Sequence, residues 1–384
     1  MQRSETRILT THTGSLPRPE DLVQLQLRVS RGETVGQTAL AEAVERATRQ
    51  AVARQLECGI DIGNDGEQPR ESFFTYVRYR MSGFGGTSER PAVQDVVAFP
   101  TFGELFQPRT QKSLLTAPPR AIGSVRYVDR SPLERELASF RRILEQQSGR
   151  FVESFWTAPS PGIIACAMQN DYYASLADYV DAVADALRVE YEAIVAQGHI
   201  LQIDGPDLAM ERHRLFASRP LREFLEFLDI TVRAINRALS SIPKDRVRLH
   251  VCWGNYEGPH VFDVPLGDLL PHLCEARVGG IVLSMANPRH AHEYRSLASH
   301  PVPRDWVIVA GAIDTTTNYV EHPEVVADRI ERVAQAAGDP RRVLAGTDCG
   351  FDTSTGLGKV ASEVVWEKLR ALRAGSELAT RRLF

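Results

Sequence analysis

The chain has 384 residues, of which 43% are hydrophobic and 24% are charged, and its formal net charge is −4 at pH 7. This balance is typical of a globular protein with one large core or two smaller ones. The sequence contains no basic block, which argues against nucleic-acid or membrane-surface partners. It also contains no apolar run of about 18 residues, the length that a membrane helix needs.

The N-terminal residues and the cysteines predict a cellular compartment. The first residues, MQRSETRILTTHTGS, hold no apolar stretch of the kind found in a secretory signal. The five cysteines are odd in number and irregularly spaced, which argues against a disulfide framework and fits a reducing compartment. We therefore expect a cytoplasmic protein.

Short apolar or β-branched runs alternate with helical patterns along the chain. In chain order, strands are predicted over 7–15, 59–67, 149–161, 198–204, 246–254, 279–285, 305–314 and 341–350. Apolar residues at three- and four-residue spacing predict helices over 176–198, 220–239 and 322–338. Eight strands that mostly precede helices predict an α/β fold with a single (β/α)8 TIM barrel. An open doubly wound sheet is the alternative, although no GxGxxG motif follows an early strand.

Residues 75–148 do not fit a minimal barrel. This segment is rich in glycine, proline, arginine and threonine, and it lies between the second and third predicted strands. We interpret it as an insertion that forms a hairpin or a lid. No linker or internal repeat divides the chain, so a single catalytic domain is expected over residues 1–384.

The predicted strand over 246–254 contains a His-x-Cys tripeptide with its polar residues on one face. Residues i and i+2 of a strand point the same way, so Arg248, His250 and Cys252 share a face opposite four apolar neighbours. In a barrel the polar face points inward, and active sites lie at the C-terminal ends of the strands. His250 and Cys252 are therefore candidate ligands for a soft metal, with zinc as the default.

A second His-x-Cys, His272 and Cys274, lies in a segment whose leucine spacing predicts a helix. Residues i and i+2 of a helix are about 200° apart, so this pair cannot share one ion. The third ligand is instead sought at Cys349, which follows the last predicted strand. A His, Cys, Cys trio leaves one tetrahedral position open, as in catalytic zinc sites.

These residues resemble the zinc site of the cobalamin-independent methionine synthase family, in its C-terminal catalytic barrel, including the single-barrel epoxyalkane:coenzyme M transferases. The family pattern of His-x-Cys, a long gap and Cys is present as HVC at 250–252 and as GTDCGF around Cys349. Other family-like segments are THTGSLPRP (11–19), NDGEQPR (64–70), LQIDGPDLAM (201–210), ANPRHAHE (286–293) and GAIDTTTNYVEHP (311–323). The resemblance also implies a TIM barrel.

The resemblance implies zinc-dependent transfer of an alkyl group, typically methyl, to a thiol acceptor such as homocysteine. Zinc lowers the pKa of the acceptor thiol, and the thiolate attacks an electrophilic carbon. By position, Glu67 and Asp204 match family residues that hold the acceptor's amino group, and Ser15 matches one that holds its carboxylate. The alternatives are thiol addition to an epoxide, and a zinc lyase or hydrolase that activates water.

Two positions depart from the family pattern. Methionine synthases usually carry a glutamate ligand on the sixth strand, where this chain has Ser284 or Met285, so that water or Asp348 becomes the candidate fourth ligand. They also carry a proton-donating histidine in the seventh-strand loop, where this chain has Thr316, with Asp314 as the candidate catalytic acid. The alkyl donor is therefore open among a methyl-corrinoid, a methyl-folate and an epoxide. We expect small-molecule partners only, and a homo-oligomer remains open.

Further residues are candidates for substrate contacts, each with a structural alternative. Arg18 and Arg289 lie in family-like loops and suit an anionic group, or else a structural ion pair. His290 and His292 have the spacing of ligands, but their place near a predicted helix start favours a structural role. The remaining candidates are His12, Trp156, His213 and Asn255.

Overall fold

The computed structural model describes residues 1–110 and 117–384. Its strands are β1 (Ile62–Gly63), β2 (Met81–Gly85), β3 (Arg120–Tyr127), β4 (Glu153–Pro159), β5 (Ile200–Asp204), β6 (Val247–Val251), β7 (Gly280–Leu283), β8 (Val307–Ile313) and β9 (Val343–Thr347). Seven of them form a parallel sheet in the order β1-β4-β5-β6-β7-β8-β9, and β2 and β3 form a separate antiparallel pair. The α/β fold class predicted from the sequence is confirmed.

Twelve α-helices lie within the described residues. They are α1 (Glu20–Ser30), α2 (Gln37–Glu57), α3 (Gln94–Ala98), α4 (Pro100–Thr110), α5 (Ser131–Glu145), α6 (Pro161–Ala167), α7 (Leu176–Ala196), α8 (Leu221–Ala238), α9 (Leu266–Leu273), α10 (Ser296–Ser299), α11 (Pro323–Ala337) and α12 (Ser362–Leu383). None of these described helices combines the length and the apolar character that crossing a bilayer requires.

The N-terminal segment lies between the two edge strands of the main sheet. Thr10 forms a parallel bridge with Ala345 of β9, and Thr11 forms one with Ile62 of β1. The Thr11 N–H donates to the Ala345 carbonyl at 2.8 Å, and the Ile62 N–H donates to the Thr10 carbonyl at 3.0 Å. The first predicted strand, 7–15, is thus reduced to these bridges, whereas each of the other seven predicted strands contains one strand of the sheet.

The three helices predicted from apolar spacing are present as α7, α8 and α11, and local signals set their ends. The Ser175 hydroxyl accepts a hydrogen bond from the Asp178 N–H at 3.1 Å and caps the start of α7. Gly338 follows α11 with a φ of 74°, a left-handed conformation in which a residue with a Cβ is disfavoured. Capping residues therefore mark the start of α7 and the end of α11.

The alternation of side chains in β6 separates two parts of the core. Leu249 and Val251 pack into the large cluster between the sheet and the helices. Arg248 points to the opposite face, where its guanidinium lies 3.9 Å from the centre of the Phe155 ring and donates to Gln202 and to the His12 carbonyl. As predicted, the polar residues of β6 lie on the inner face of the sheet, opposite the helices. Arg248 fills the space beneath the metal-ligand candidates.

The chain between β1 and β4 carries the β2–β3 pair and helices α3 to α5. A buried ionic network attaches this segment to α7, because Glu190 accepts hydrogen bonds from Arg80, Tyr76 and Tyr127. The interpretation of 75–148 as an insertion or lid within a single domain remains a prediction, and residues 111–116 of it lie outside the described residues.

Candidate metal centre

His250, Cys252 and Cys349 meet at the C-terminal ends of two strands of the sheet. Cys252 is the first residue after β6, and Cys349 is the second residue after β9. One ring nitrogen and the two Sγ atoms lie within 4.8 Å of one another, and all three side chains are buried. The structure thus brings together the three residues that the sequence predicts as ligands.

The hydrogen bonds of His250 leave one ring nitrogen free. Nδ1 lies 3.0 Å from Oδ1 of Asp204, whereas Nε2 is buried and has no hydrogen-bond partner among the described residues. Histidines that bind metals commonly donate their other N–H to a carboxylate, which fixes the tautomer and the ring orientation. Asp204 therefore has the position of the group that orients His250.

The two cysteines interact directly. A hydrogen bond from Cys349 and the charge of His250 lower the pKa of Cys252 well below its ordinary value, although burial opposes this shift. The same hydrogen bond, together with burial, raises the pKa of Cys349. A buried thiolate beside a second thiol and an imidazole is a donor set that suits zinc or another soft ion.

The three predicted acceptor residues, Ser15, Glu67 and Asp204, line the same cavity as the metal-ligand trio. The cavity has a volume of about 970 Å³. Its wall also contains apolar and aromatic side chains, which are Phe73, Phe74, Val93, Val96, Phe106, Met210, Tyr256, Phe351 and Leu357. A polar floor and an apolar wall are typical of a small-molecule site.

Glu67 is held in a strained conformation beneath this cavity. Its φ of 57° is left-handed, which costs a residue other than glycine on the order of 1–2 kcal/mol. Oε1 accepts from the Thr157 hydroxyl at 2.9 Å, whereas Oε2 is buried and unpartnered among the described residues. A Cβ on Gly14 would lie 2.4 Å from Oε1, so this close approach requires a glycine there.

The charge of Glu67 is poorly compensated. Burial and the carboxylate of Asp204 raise the pKa of Glu67 to about 7, against the lowering effect of Arg70 and Arg18. A cationic ligand placed between Glu67 and Asp204 would offset both effects.

Asn255 and Ser284 connect the loops that follow the strands. Nδ2 of Asn255 donates to the Gly350 carbonyl at 2.8 Å, which ties the loop after β6 to the loop after β9. The Ser284 hydroxyl donates to the Asp348 carbonyl at 2.7 Å, and the Asp348 carboxylate accepts from the backbone N–H groups of residues 285–287. Asp348 is thus bound by backbone, and among the described residues no fourth histidine, cysteine or acid joins the trio.

A small second cavity lies beside the two cysteines and Asp314. Its volume of about 20 Å³ is enough for one water molecule. Oδ1 of Asp314 accepts from the backbone N–H and the hydroxyl of both Thr316 and Thr317. Oδ1 of Asp314 therefore organises this loop, and the role of Asp314 as a proton donor stays a prediction.

Two basic candidates for substrate contacts make structural contacts instead. Arg18 is buried, with Nη1 3.0 Å from Oδ2 of Asp352, and it donates to three backbone carbonyls. Arg289 is exposed, and its Nε donates to the His260 carbonyl at 3.1 Å. Neither side chain is among those that line the cavity.

His12 and Trp156 also lie away from the cavity. Nε2 of His12 is 2.8 Å from Oε1 of Gln55, and burial lowers the pKa of His12 to about 4, which keeps the ring neutral. Trp156 is fully buried, and its ring packs against Phe140 at a centroid distance of 5.6 Å on the helix-covered side of β4. These positions match the packing alternatives given for both residues.

His213 belongs to a buried network that the sequence did not predict, formed with His260, Asp263 and His290. Oδ2 of Asp263 lies 2.8 Å from His260 Nδ1 and 2.8 Å from His290 Nε2, and His213 Nε2 lies 3.6 Å from Oδ1. Ligand atoms around a tetrahedral zinc are about 3.3 Å apart for bonds of about 2.0 Å. The shorter 2.8 Å separations are those of hydrogen bonds. The spacing of His260 and Asp263, three residues apart, is the one sequence signal of the network.

The network holds the residue next to Cys252. The Trp253 ring stacks on His290 at a centroid distance of 4.0 Å, its carbonyl accepts from His213 at 3.2 Å, and its indole N–H donates to the Val264 carbonyl at 2.7 Å. With its ring, carbonyl and N–H all engaged, Trp253 is fixed. We infer that the network positions the loop that carries Cys252.

The His272–Cys274 pair has the helical context that the sequence predicts. His272 lies in α9, Cys274 directly follows it, and neither belongs to a metal-ligand group among the described residues. His272 Nδ1 instead lies 2.6 Å from Oδ1 of Asp229 at the surface.

Comparisons with known proteins agree with the predicted resemblance. The chain matches no protein-family model. It is 25% identical over 351 residues to a methionine synthase of Sulfolobus acidocaldarius, covering 90% of this chain and 86% of that protein. It is 22% identical over 377 residues to a methionine synthase of Saccharolobus solfataricus, covering 97% and 95%.

Two solved structures show the same fold. One is a B12-independent methionine synthase from a Shewanella species in complex with selenomethionine, with a TM-score of 0.72, 20% identity and coverage of 98% and 99% of the two chains. The other is a putative vitamin-B12 independent methionine synthase from Listeria monocytogenes, with a TM-score of 0.62, 18% identity and coverage of 97% and 99%. The resemblance to cobalamin-independent methionine synthases, predicted from the motifs, is confirmed over nearly the whole chain.

The metal centre predicts a zinc content close to one ion per chain. Cys349→Ser removes one of three ligands and should abolish stoichiometric binding, measured by elemental analysis of the purified protein. Cys274→Ser is the control, because that cysteine lies outside the trio, and it should retain the metal. A folded wild-type protein that takes up no zinc, or Cys349→Ser with full zinc content, would contradict the prediction.

Asp263→Asn should weaken zinc binding about 10- to 100-fold, the usual cost of losing a group that supports metal ligands. The amide is uncharged and has a donating NH2 group in place of one carboxylate oxygen, so the hydrogen bonds with His260 and His290 weaken and Trp253 and the adjacent Cys252 lose support. Competition with a chromophoric chelator measures the affinity. Asp229→Asn, which alters the surface pair with His272, should leave it unchanged. Equal affinities in wild type and Asp263→Asn would rule out the positioning role.

Proposed function

We propose that the chain is a zinc-dependent enzyme that transfers a methyl group to the sulfur of homocysteine. The observation that carries the proposal is the convergence of a buried His, Cys, Cys trio and two carboxylates, Glu67 and Asp204, on one cavity. Similarity to methionine synthases over about nine-tenths of the chain supports the same conclusion.

The residues present fit zinc. His250 has a buried nitrogen with no partner among the described residues, and two cysteines lie within ligand spacing of it. Three protein ligands leave one position for a substrate, as in catalytic zinc sites. When bound, zinc would keep an acceptor thiol ionised at neutral pH.

The chain's own residues would hold the acceptor. The ammonium group of homocysteine suits the space between Glu67, whose Oε2 lacks a partner among the described residues, and Asp204. The Ser15 hydroxyl lines the same cavity and can donate to the acceptor's carboxylate. Asp204 links this amino-group site to the metal site through its hydrogen bond with His250.

The loop that follows β8 bears on the alkyl donor. Thr315, Thr316, Thr317 and Asn318 line the cavity, and the Asp314 carboxylate is engaged by two of these threonines. The one histidine of this described loop, His322, is exposed at the start of α11 and does not line the cavity, so it is not placed to protonate a leaving group there. A methyl-corrinoid, whose leaving group needs no proton, therefore suits the site better than a methyl-folate.

A second candidate function is a zinc lyase or hydrolase. The cavity of about 20 Å³ beside Cys252 and Cys349 favours it, because that space holds one water molecule next to the metal ligands. In that case the fourth metal position would serve water activation, with the large cavity open to a substrate that carries no thiol.

Adding homocysteine to the cobalt(II)-substituted protein should change the thiolate-to-metal absorption band. Methylcobalamin, methyl-tetrahydrofolate and epoxypropane are then tested as donors with the zinc protein, and methylcobalamin should give methionine. An absorption band that no small thiol changes would favour the water-activating alternative. A band that changes without any turnover would keep the acceptor and reject these donors.

Glu67→Gln should weaken homocysteine binding about 10- to 100-fold, because a charged hydrogen bond contributes roughly 1.5–3 kcal/mol. The affinity is measured from the same cobalt band. The matched ligand is 4-mercaptobutanoate, which lacks only the amino group and should bind equally to wild type and variant. If both thiols weaken alike, Glu67 supports the fold of the site and does not recognise the ammonium.

A further inference from the structure

The substrate cavity contains an arginine whose terminal nitrogens have no partner among the described residues. Arg214 directly follows the short 3-10 helix Met210–His213 that comes after β5. Its Nε donates to the Pro91 carbonyl at 2.7 Å. Within the described residues, Nη1 and Nη2 make no hydrogen bond or ion pair, although the side chain lines the cavity.

The nearby carboxylate is already used by another arginine. Glu211 accepts from Nη2 of Arg90, which lines the same wall. Burial and the charge of Arg90 lower the pKa of Arg214 to about 9, and Glu211 opposes them only in part. Arg214 therefore has a second cation beside it and a carboxylate that is already paired, so its charge is compensated only in part, which is costly in a partly buried place.

Two other buried arginines of this interior have acceptors for both terminal nitrogens. Arg18 donates from both terminal nitrogens to backbone carbonyls and pairs with Asp352. Arg248 donates from its terminal nitrogens to Thr11 and to the His12 carbonyl. Arg214 differs from both because its two terminal nitrogens have no acceptor in the part of the chain that the structure describes, while its side chain lines the cavity.

We propose that Arg214 recognises an anionic group, such as a carboxylate, sulfonate or phosphate, on the substrate that enters opposite the acceptor. A guanidinium fork matches such planar or tetrahedral oxyanions with two parallel hydrogen bonds. Tyr256, Met210 and Phe106 line the same cavity and provide apolar contact for the body of that substrate.

The assignment of this anion to the alkyl donor rests on the proposed function. The charged groups that act on Glu67, which is assigned to the acceptor, include Asp204, Arg70 and Arg18. Those that act on Arg214 are a different set, which includes Arg90 and Glu211. The acceptor and the anion therefore occupy different parts of one cavity. Anion binding itself does not depend on which reaction takes place.

The test uses zinc-loaded protein and four aromatic probes, benzoate, benzenesulfonate, phenylphosphonate and the neutral benzyl alcohol, with affinities measured by ligand-observed NMR. Wild type should bind the anionic probes more tightly than the neutral one. Arg214→Gln should weaken the anions about 10- to 100-fold and leave benzyl alcohol unchanged. Arg214→Lys should recover part of the affinity, because it keeps the charge and loses the fork.

Arg126→Gln is the control, since that arginine is exposed on β3, and it should bind every probe as wild type does. Equal anion affinity in wild type and Arg214→Gln, or no preference of wild type for anions, would overturn the proposal. Benzenesulfonate should also inhibit turnover competitively against the donor and not against homocysteine. Competition of benzenesulfonate against homocysteine would reject the assignment of the anion to the donor. If the wild-type protein binds anions through Arg214 but shows no turnover, only the proposed reaction is rejected.

Discussion

The register between β5 and β6 is the constraint on which the site depends. Asp204 and His250 are directly paired across these parallel strands, so both side chains point to the same inward face. Their hydrogen bond of 3.0 Å commits Nδ1 and leaves Nε2 free. A shift of β6 by one residue would turn His250 toward the helices and separate this metal-ligand candidate from Asp204, the group that orients it.

Through this pairing, Asp204 connects the candidate metal ligand His250 with the second carboxylate of the cavity, Glu67. Asp204 orients His250 on one side and on the other raises the pKa of Glu67, whose second carboxylate oxygen has no partner among the described residues. A cation placed between the carboxylates would stabilise a site that is strained without it. The left-handed backbone of Glu67 and the glycine at position 14 are consistent with a geometry kept for binding, since both work against stability.

The sequence predicted the positions of side chains correctly where the outcome depends on residues close together in the chain. Period-two alternation placed His250 and Cys252 on the inner face, and the helical context of His272 separated the false pair from the true one. The network of His213, His260, Asp263 and His290 could not be predicted in this way, because it joins loops after three different strands. The first predicted strand, 7–15, was too long. Within it, Thr10 forms a bridge to β9 and Thr11 forms a bridge to β1, and the flanking residues form none.

Side-chain satisfaction separates structural from functional polar residues better than position does. Arg18, His12 and Asp314 occupy family-like segments, yet each makes hydrogen bonds to neighbouring groups of the protein. Glu67, His250 and Arg214 keep an atom without a protein partner among the described residues, and the first two are deeply buried. Leaving such atoms unpaired is costly, so they persist where a ligand completes them. By that reasoning the proposed cation, metal and anion would each complete one of these atoms, at Glu67, His250 and Arg214 respectively.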